Sequence, residues 1–158
     1  MLCQIKDMIK IKVQQEADAD FVNSIIAAAT DELRTIYRPI NKTVQNKTIE
    51  PINLVASTNG VIVGVAEYLI SKNNILLRGV AVSPSHRKKG VAGAIIEHVV
   101  LVAQKEGKPE IVLSTIKETG NAIFFSHMGF AVVLEEISAV YESPYGKPVT
   151  LVNMRKTA

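Results

Sequence analysis

Apolar and polar residues change their spacing several times along this 158-residue chain, and each change marks an element. Ile9-Lys10-Ile11-Lys12-Val13 alternates apolar and basic positions, the period-two signature of a half-buried first strand. The period then lengthens. Phe21, Val22, Ile25, Ile26 and Ala29 recur at helical spacing, and Asp18 stands where it can cap the helix they predict. Thr30 and Asp31 predict the opening of a second, short helix carrying Leu33, Ile36 and Tyr37, ended by Pro39. Asn41 to Glu50 is polar and reads as a loop.

Ile52 to Ser57 and Val61 to Ile70 predict an antiparallel pair joined around Asn59-Gly60, the favoured sequence for a type I′ hairpin turn. A second turn at Lys72-Asn73-Asn74 returns the chain into a strand from Ile75 to Val82. From about Gly90 to Glu106, residues Ala92, Ile95, Ile96, Val99, Val102 and Ala103 form one broad apolar face, and Gly107 with Pro109 stops the helix. Then follow a strand at Ile111 to Thr115, a short helix at Gly120 to Met128, and strands at Phe130 to Ser138 and Val149 to Met154. Tyr141 to Pro148 is the connection between those last two strands.

Composition narrows the class. A 47% hydrophobic and 21% charged chain without repeats or a low-complexity linker is expected to form one globular domain over residues 1–158. No apolar run approaches the roughly 20 residues of a membrane span, and the opening residues lack a secretory pattern, so a cytoplasmic location is expected. Cys3 is the only cysteine and cannot form an intrachain disulfide, which sets aside disulfide and cysteine-zinc chemistry. The net charge of +3 is modest, and Lys88-Lys89 has no aromatic platform beside it, so nucleic acid is not an expected partner. His86 and His127 lack metal-ligand spacing, and no metal site is expected.

The densest chemical signal lies where the strand ending at Val82 runs into the long helix, through Ser83-Pro84-Ser85-His86-Arg87-Lys88-Lys89-Gly90-Val91-Ala92-Gly93. Helix-initial N–H groups have no internal partner and the macrodipole adds partial positive charge, so such a junction can hold an anion. The spelling does not fit a nucleotide P-loop, because Gly90 is not followed by Lys, nor the Gly-x-Gly-x-x-Gly of dinucleotide sites. Arg87-x-x-Gly90-x-Ala92 after an apolar strand, followed by Gly120-Asn121 and a closing Gly129-Phe130, resembles the GNAT superfamily of N-acetyltransferases.

That resemblance implies an α/β (α+β) fold with a mixed, mostly antiparallel sheet of about seven strands flanked by about four helices, splayed between its fourth and fifth strands. It implies acetyl-coenzyme A as co-substrate, its diphosphate held by Arg87, Lys88, Lys89, Gly90, Val91, Ala92 and Gly93. The pantetheine arm would lie beside Val80, Ala81 and Val82, with Asn121 and Phe125 also facing the coenzyme. The acceptor would be a primary amine of a small molecule or peptide, bordered in part by the segment after the first helices. A homodimer is left open.

Acetyl transfer needs positioned reactants, an N–H donor for the developing oxyanion and a route for protons. The backbone amide of Ala81 or Val82, near an expected bulge, is the candidate oxyanion donor. Glu67 reads either as the base that takes the amine proton or as an exposed strand carboxylate. Alternation along the strand places it with Val63 and Val65 on one face. Of Glu135 and Glu136 at most one can face a cleft. By resemblance a tyrosine acid belongs where this chain has Phe125, which leaves Tyr141 or Tyr145 as donors to the thiolate, or no dedicated acid. An alternative from another class is a coenzyme A-binding sensor without turnover.

Overall fold

The computed structural model describes residues 8–40 and 50–158. Cys3 and positions 41–49 of the polar loop lie outside the described residues. In chain order the strands are β1 (Ile9–Val13), β2 (Arg38–Pro39), β3 (Ile52–Thr58), β4 (Val61–Ile70), β5 (Asn74–Val82), β6 (Glu110–Ile116), β7 (Ala131–Glu142) and β8 (Pro148–Thr157). The helices are α1 (Ala19–Arg34), α2 (Val91–Lys105) and α3 (Asn121–His127). All eight strands form one sheet in the order β1-β3-β4-β5-β6-β8-β7-β2. Among the described residues only the β5–β6 pair is parallel. The expected mixed, mostly antiparallel class holds, with one more strand and fewer helices than the sequence predicts.

The missing helix has a simple cause. Val22, Ile25, Ala29 and Leu33 continue one apolar stripe straight through Thr30 and Asp31, so α1 is a single helix rather than two. Mid-helix Thr and Asp each cost only about 0.7 kcal/mol in propensity, less than burying the stripe returns. Ile36 and Tyr37 follow the helix end, and Pro39 lies in β2, which pairs with β7 at Tyr141 and Glu142. Asp18 does not cap α1 by side chain. Its carboxylate instead accepts the Gln15 N–H at 2.8 Å, closing the short 3-10 turn before the helix.

Two helices cover opposite faces of the sheet. Ile95, Ile96 and Val99 of α2 pack with Leu54, Val63, Leu77, Ile111 and Val152. On the other face, Val22 and Ile25 of α1 pack with Val55 and Val65. The β3–β4 register passes from Ala56–Gly64 to Ser57–Ile62, leaving Val63 as an extra residue. That bulge overturns the expected alternation: Val63 faces α2, while Val65 and Glu67 lie on the α1 face. The Asn59-Gly60 hairpin does form, with both residues at positive φ (51° and 78°), as a type I′ turn requires. Among the described residues, no helix is long and apolar enough to cross a membrane.

The sheet opens in its middle. β5 and β6 pair only over Asn74–Leu76 and Glu110–Val112, although β5 continues to Val82 and β6 to Ile116. Beyond those three register pairs the strands diverge and leave a slot. Through it, α1 from one face and α2 and α3 from the other border the same space.

Candidate active site

The slot widens into a cleft of about 640 Å³. Val80, Ala81 and Val82 form one wall, Gly90 to Gly93 the end, and Asn121, Phe124, Phe125 and Met128 of α3 another side. Such a volume suits a small-molecule ligand. At its end the loop takes an unusual backbone path. Lys88 and Gly90 both adopt left-handed conformations, at φ 61° and 85°. A non-glycine residue there costs free energy, and positive-φ residues in such a turn help gather N–H groups into an anion-binding nest. Gly90 is also the N-cap of α2, so the helix-initial N–H groups of this long helix sit in the same place.

A Cβ on Gly90 would meet nothing within 4 Å, so its φ, not crowding, demands glycine there. Gly93 is different. A Cβ at Gly93 would reach Met128 Sδ at 3.6 Å, an ordinary contact, so within the protein alone space does not require this glycine.

A second bulge shapes the strand wall. Opposite Ala66, β5 carries Gly79 and Val80 where one residue would pair, and Gly79 is at φ 65°. Beyond it, Ser83 N–H donates to Val63 C=O at 2.8 Å, which makes Val82 and Gly64 a non-hydrogen-bonded pair. Strand alternation then turns the N–H and C=O of Val82 away from β4, toward the slot, and those of Ala81 toward β4. The Val82 carbonyl accepts from Arg87 Nε at 3.3 Å, in keeping with that direction.

Arg87 does not present its guanidinium to the loop. Its Nη1 and Nη2 donate to the two oxygens of Glu32 on α1 at 2.9 and 2.8 Å. The side-chain hydrogen bonds, more than the charge attraction alone, hold the Glu32 carboxyl below its ordinary range and raise Arg87 further. Glu32 lines the cleft together with Ala29, Leu33 and Ile36. Lys88 lines it as well, whereas Lys89 is exposed and outside the lining. His86 borders the cleft with its Nδ1 at 3.0 Å from Ser85 Oγ.

Glu67 stands at a second cleft of about 430 Å³, between α1, β3, β4 and the β5 bulge. Its carboxylate accepts a hydrogen bond from Arg78 Nε across the β4–β5 pair. The two clefts share Ala29, Leu33, Val80 and Ala81, so they meet at the bulged segment of β5. The other sequence candidates lie apart. Tyr141 packs edge-on against Tyr37 at 5.0 Å and borders neither cleft. Tyr145 is 90% exposed at the β7–β8 turn. Glu135 pairs with Lys117 at 3.3 Å, and Glu136 is exposed on β7. Phe125, at the position where the resemblance places a tyrosine, lies edge-on to Phe124 and Phe130.

Sequence reasoning missed the α1 contribution: Glu32 pairs with a residue 55 positions away, and nothing local to it signals the contact. It also missed Gln14, Asn23, Thr30 and Asn53, which line the second cleft from α1, β3 and the end of β1. Among the described residues there is no group of three or more His, Cys, Asp or Glu side chains able to hold a metal ion.

Comparison with known proteins agrees with this geometry. The pattern that defines the acetyltransferase (GNAT) domain matches residues 51–132, more than half of the chain. No curated protein sequence matches this chain. Among solved structures, the ribosomal-protein-S18-alanine N-acetyltransferase from Escherichia coli superposes with a TM-score of 0.71 at 18% identity, over 95% of this chain and 94% of the other. A GCN5-related N-acetyltransferase from Kribbella flavida gives 0.71 at 16%, over 97% and 99%. An aminoglycoside 6′-N-acetyltransferase complexed with coenzyme A gives 0.70 at 14%, over 94% and 96%. At these identities the superpositions speak for the fold, and the domain match speaks for the family. With that match spanning the hairpin, the left-handed loop before α2 and α3, the chain belongs to the GNAT family and is an N-acetyltransferase.

Proposed function

We propose that this enzyme moves the acetyl group of acetyl-coenzyme A directly onto a primary amine of a small molecule or peptide, with both substrates bound at once. The observation that carries the reading is the meeting of two clefts at Val80 and Ala81, one of them ending in the left-handed loop at Lys88 and Gly90. The larger cleft suits the donor, its diphosphate on the N–H groups of Lys88 to Gly93 and its arm along Val80 to Val82. Coenzyme A in the aminoglycoside acetyltransferase of the same fold supports that choice of donor. The smaller cleft suits the acceptor.

Holding both reactants in adjoining clefts can contribute about 7–11 kcal/mol to lowering the barrier. As the amine attacks, negative charge grows on the thioester oxygen, and the slot-facing Val82 N–H is the better of the two candidate donors. An amine with a pKa of about 10 arrives protonated and must lose that proton first. Glu67 is the acid lining the acceptor side, and it takes the proton directly or through water. The positions of Tyr141 and Tyr145 favour a thiolate that leaves without a tyrosine acid. The family assignment favours turnover over a sensor role.

Titration calorimetry with acetyl-coenzyme A tests the donor site. Saturable binding is expected, lost in Gly90→Asp, which places a carboxylate where the anion belongs. A wild-type protein that folds yet shows no heat of binding would refute the reading.

A further inference from the structure

The lining of the smaller cleft also describes the molecule that fits it, given the reading of that cleft as the acceptor side. Among the described residues its polar side chains are Gln14, Asn23, Thr30, Asn53 and Glu67. Only Glu67 is ionisable, and Arg78 already donates to it. The other four are neutral and combine donors with acceptors, three of them as carboxamides. Aliphatic side chains of α1 and β4 make up most of the remaining wall.

Charge excludes two classes of acceptor, and hydrogen bonding favours a third. A polyamine would bring several ammonium groups into a space offering one carboxylate, and each unmatched cation would lose hydration without a partner. An acidic body would find no Lys or Arg in the described lining and would face Glu67. Carboxamides, by contrast, pair with a peptide group through one donor and one acceptor, and they leave an unmatched partner costly. The Gln14 N–H to Asn53 C=O bond at 2.9 Å holds the backbones of two of these residues together, continuing the β1–β3 ladder to the cleft.

We infer that the acceptor is a single primary amine on an uncharged, amide-bearing body, of the kind a peptide amino terminus with neutral neighbouring side chains presents. The amine meets Glu67 and the amide groups meet Gln14, Asn23 and Asn53.

Thiol release from acetyl-coenzyme A, measured with alanyl-alaninamide, spermine and aspartyl-aspartate as acceptors, tests this. The neutral amide is expected to exceed both others in kcat/KM by at least about tenfold. Asn53→Asp adds a second acid to the lining and should shift the spermine-to-amide ratio toward spermine by about tenfold, with the circular dichroism spectrum unchanged. The inference is overturned if spermine or the acidic dipeptide matches the neutral amide, if none of the three releases thiol, or if Asn53→Asp folds and leaves the ratio where it was. Absence of acetyl-coenzyme A binding in calorimetry would instead sink the donor reading on which it rests.

Discussion

Glu32 and Arg87 face each other through two parallel hydrogen bonds of 2.8 and 2.9 Å, joining α1 to the loop that opens α2. Bidentate geometry of this kind is the strong form of the carboxylate–guanidinium contact. It also means that the fork of Arg87 is occupied by protein, and that a carboxylate borders the cleft proposed to take the diphosphate.

Glu32→Gln should therefore tighten acetyl-coenzyme A binding by about threefold to tenfold at low ionic strength, because it removes a like charge and frees Arg87. The gain should shrink in about 0.5 M salt, where the screening length is only a few ångströms. Calorimetry at two salt concentrations measures both. Weaker binding in the variant would show that the pair holds α1 in place for the donor instead.

Glu67→Gln should lower kcat by about 100-fold or more while leaving the affinity for acetyl-coenzyme A unchanged, the signature of a lost base rather than a lost donor contact. Tyr141→Phe and Tyr145→Phe should each keep kcat within about twofold, far from the 100-fold or greater loss that removal of a general acid brings. Steady-state kinetics on the three variants decides. A collapse of kcat in either tyrosine variant would contradict the placement of that residue outside the clefts.

Gly64 lies against Val91, the first residue of α2. A Cβ there would sit 2.8 Å from Val91 Cγ1 and 3.4 Å from the Ala81 carbonyl. Val91 is buried and stiff at χ1, so Gly64→Ala should destabilise the fold by about 1–3 kcal/mol in urea denaturation. Adding Val91→Ala should recover part of that loss, since the two sites touch. Gly93→Ala meets no such obstacle and, lying inside a helix, should be neutral or stabilising by up to about 1 kcal/mol.

His98 on α2 supplies a pH dependence. Burial pushes its imidazole below its ordinary value of 6.5. The unfolded chain then binds the proton more readily than the folded one, so stability is full above about 6.5 and falls as pH drops through the range down to the depressed value. The melting temperature should decline from pH 7.5 to 5.5, and His98→Gln should flatten that slope. An identical slope in the variant would assign the decline to other groups.

What could be read without a structure was set by neighbours in sequence. The α2 stripe from Ile95 to Ala103, the Asn59-Gly60 turn and the glycine ahead of α2 depend on periodicity and local φ, and each is found in its place. The loop proposed to hold the diphosphate stood out for the same reason, since the reading rests on main-chain N–H groups at a helix start. Local reasoning failed where distant segments decide. Thr30-Asp31 reads as a helix start until the stripe that runs past them is seen to pack, through Val22 and Ile25, on β3 and β4. The bulge at Val63, which moves it to the other face from Val65 and Glu67, depends on how β4 pairs with β3. The Glu32–Arg87 fork, the turning of Val82 toward the slot and the carboxamide lining of the second cleft exist only once separate elements are brought together. Short-range periodicity and turn preferences act within a few residues and so are written locally; register, bulges and cleft walls are set by contacts between segments far apart in the chain, and only the tertiary structure decides them.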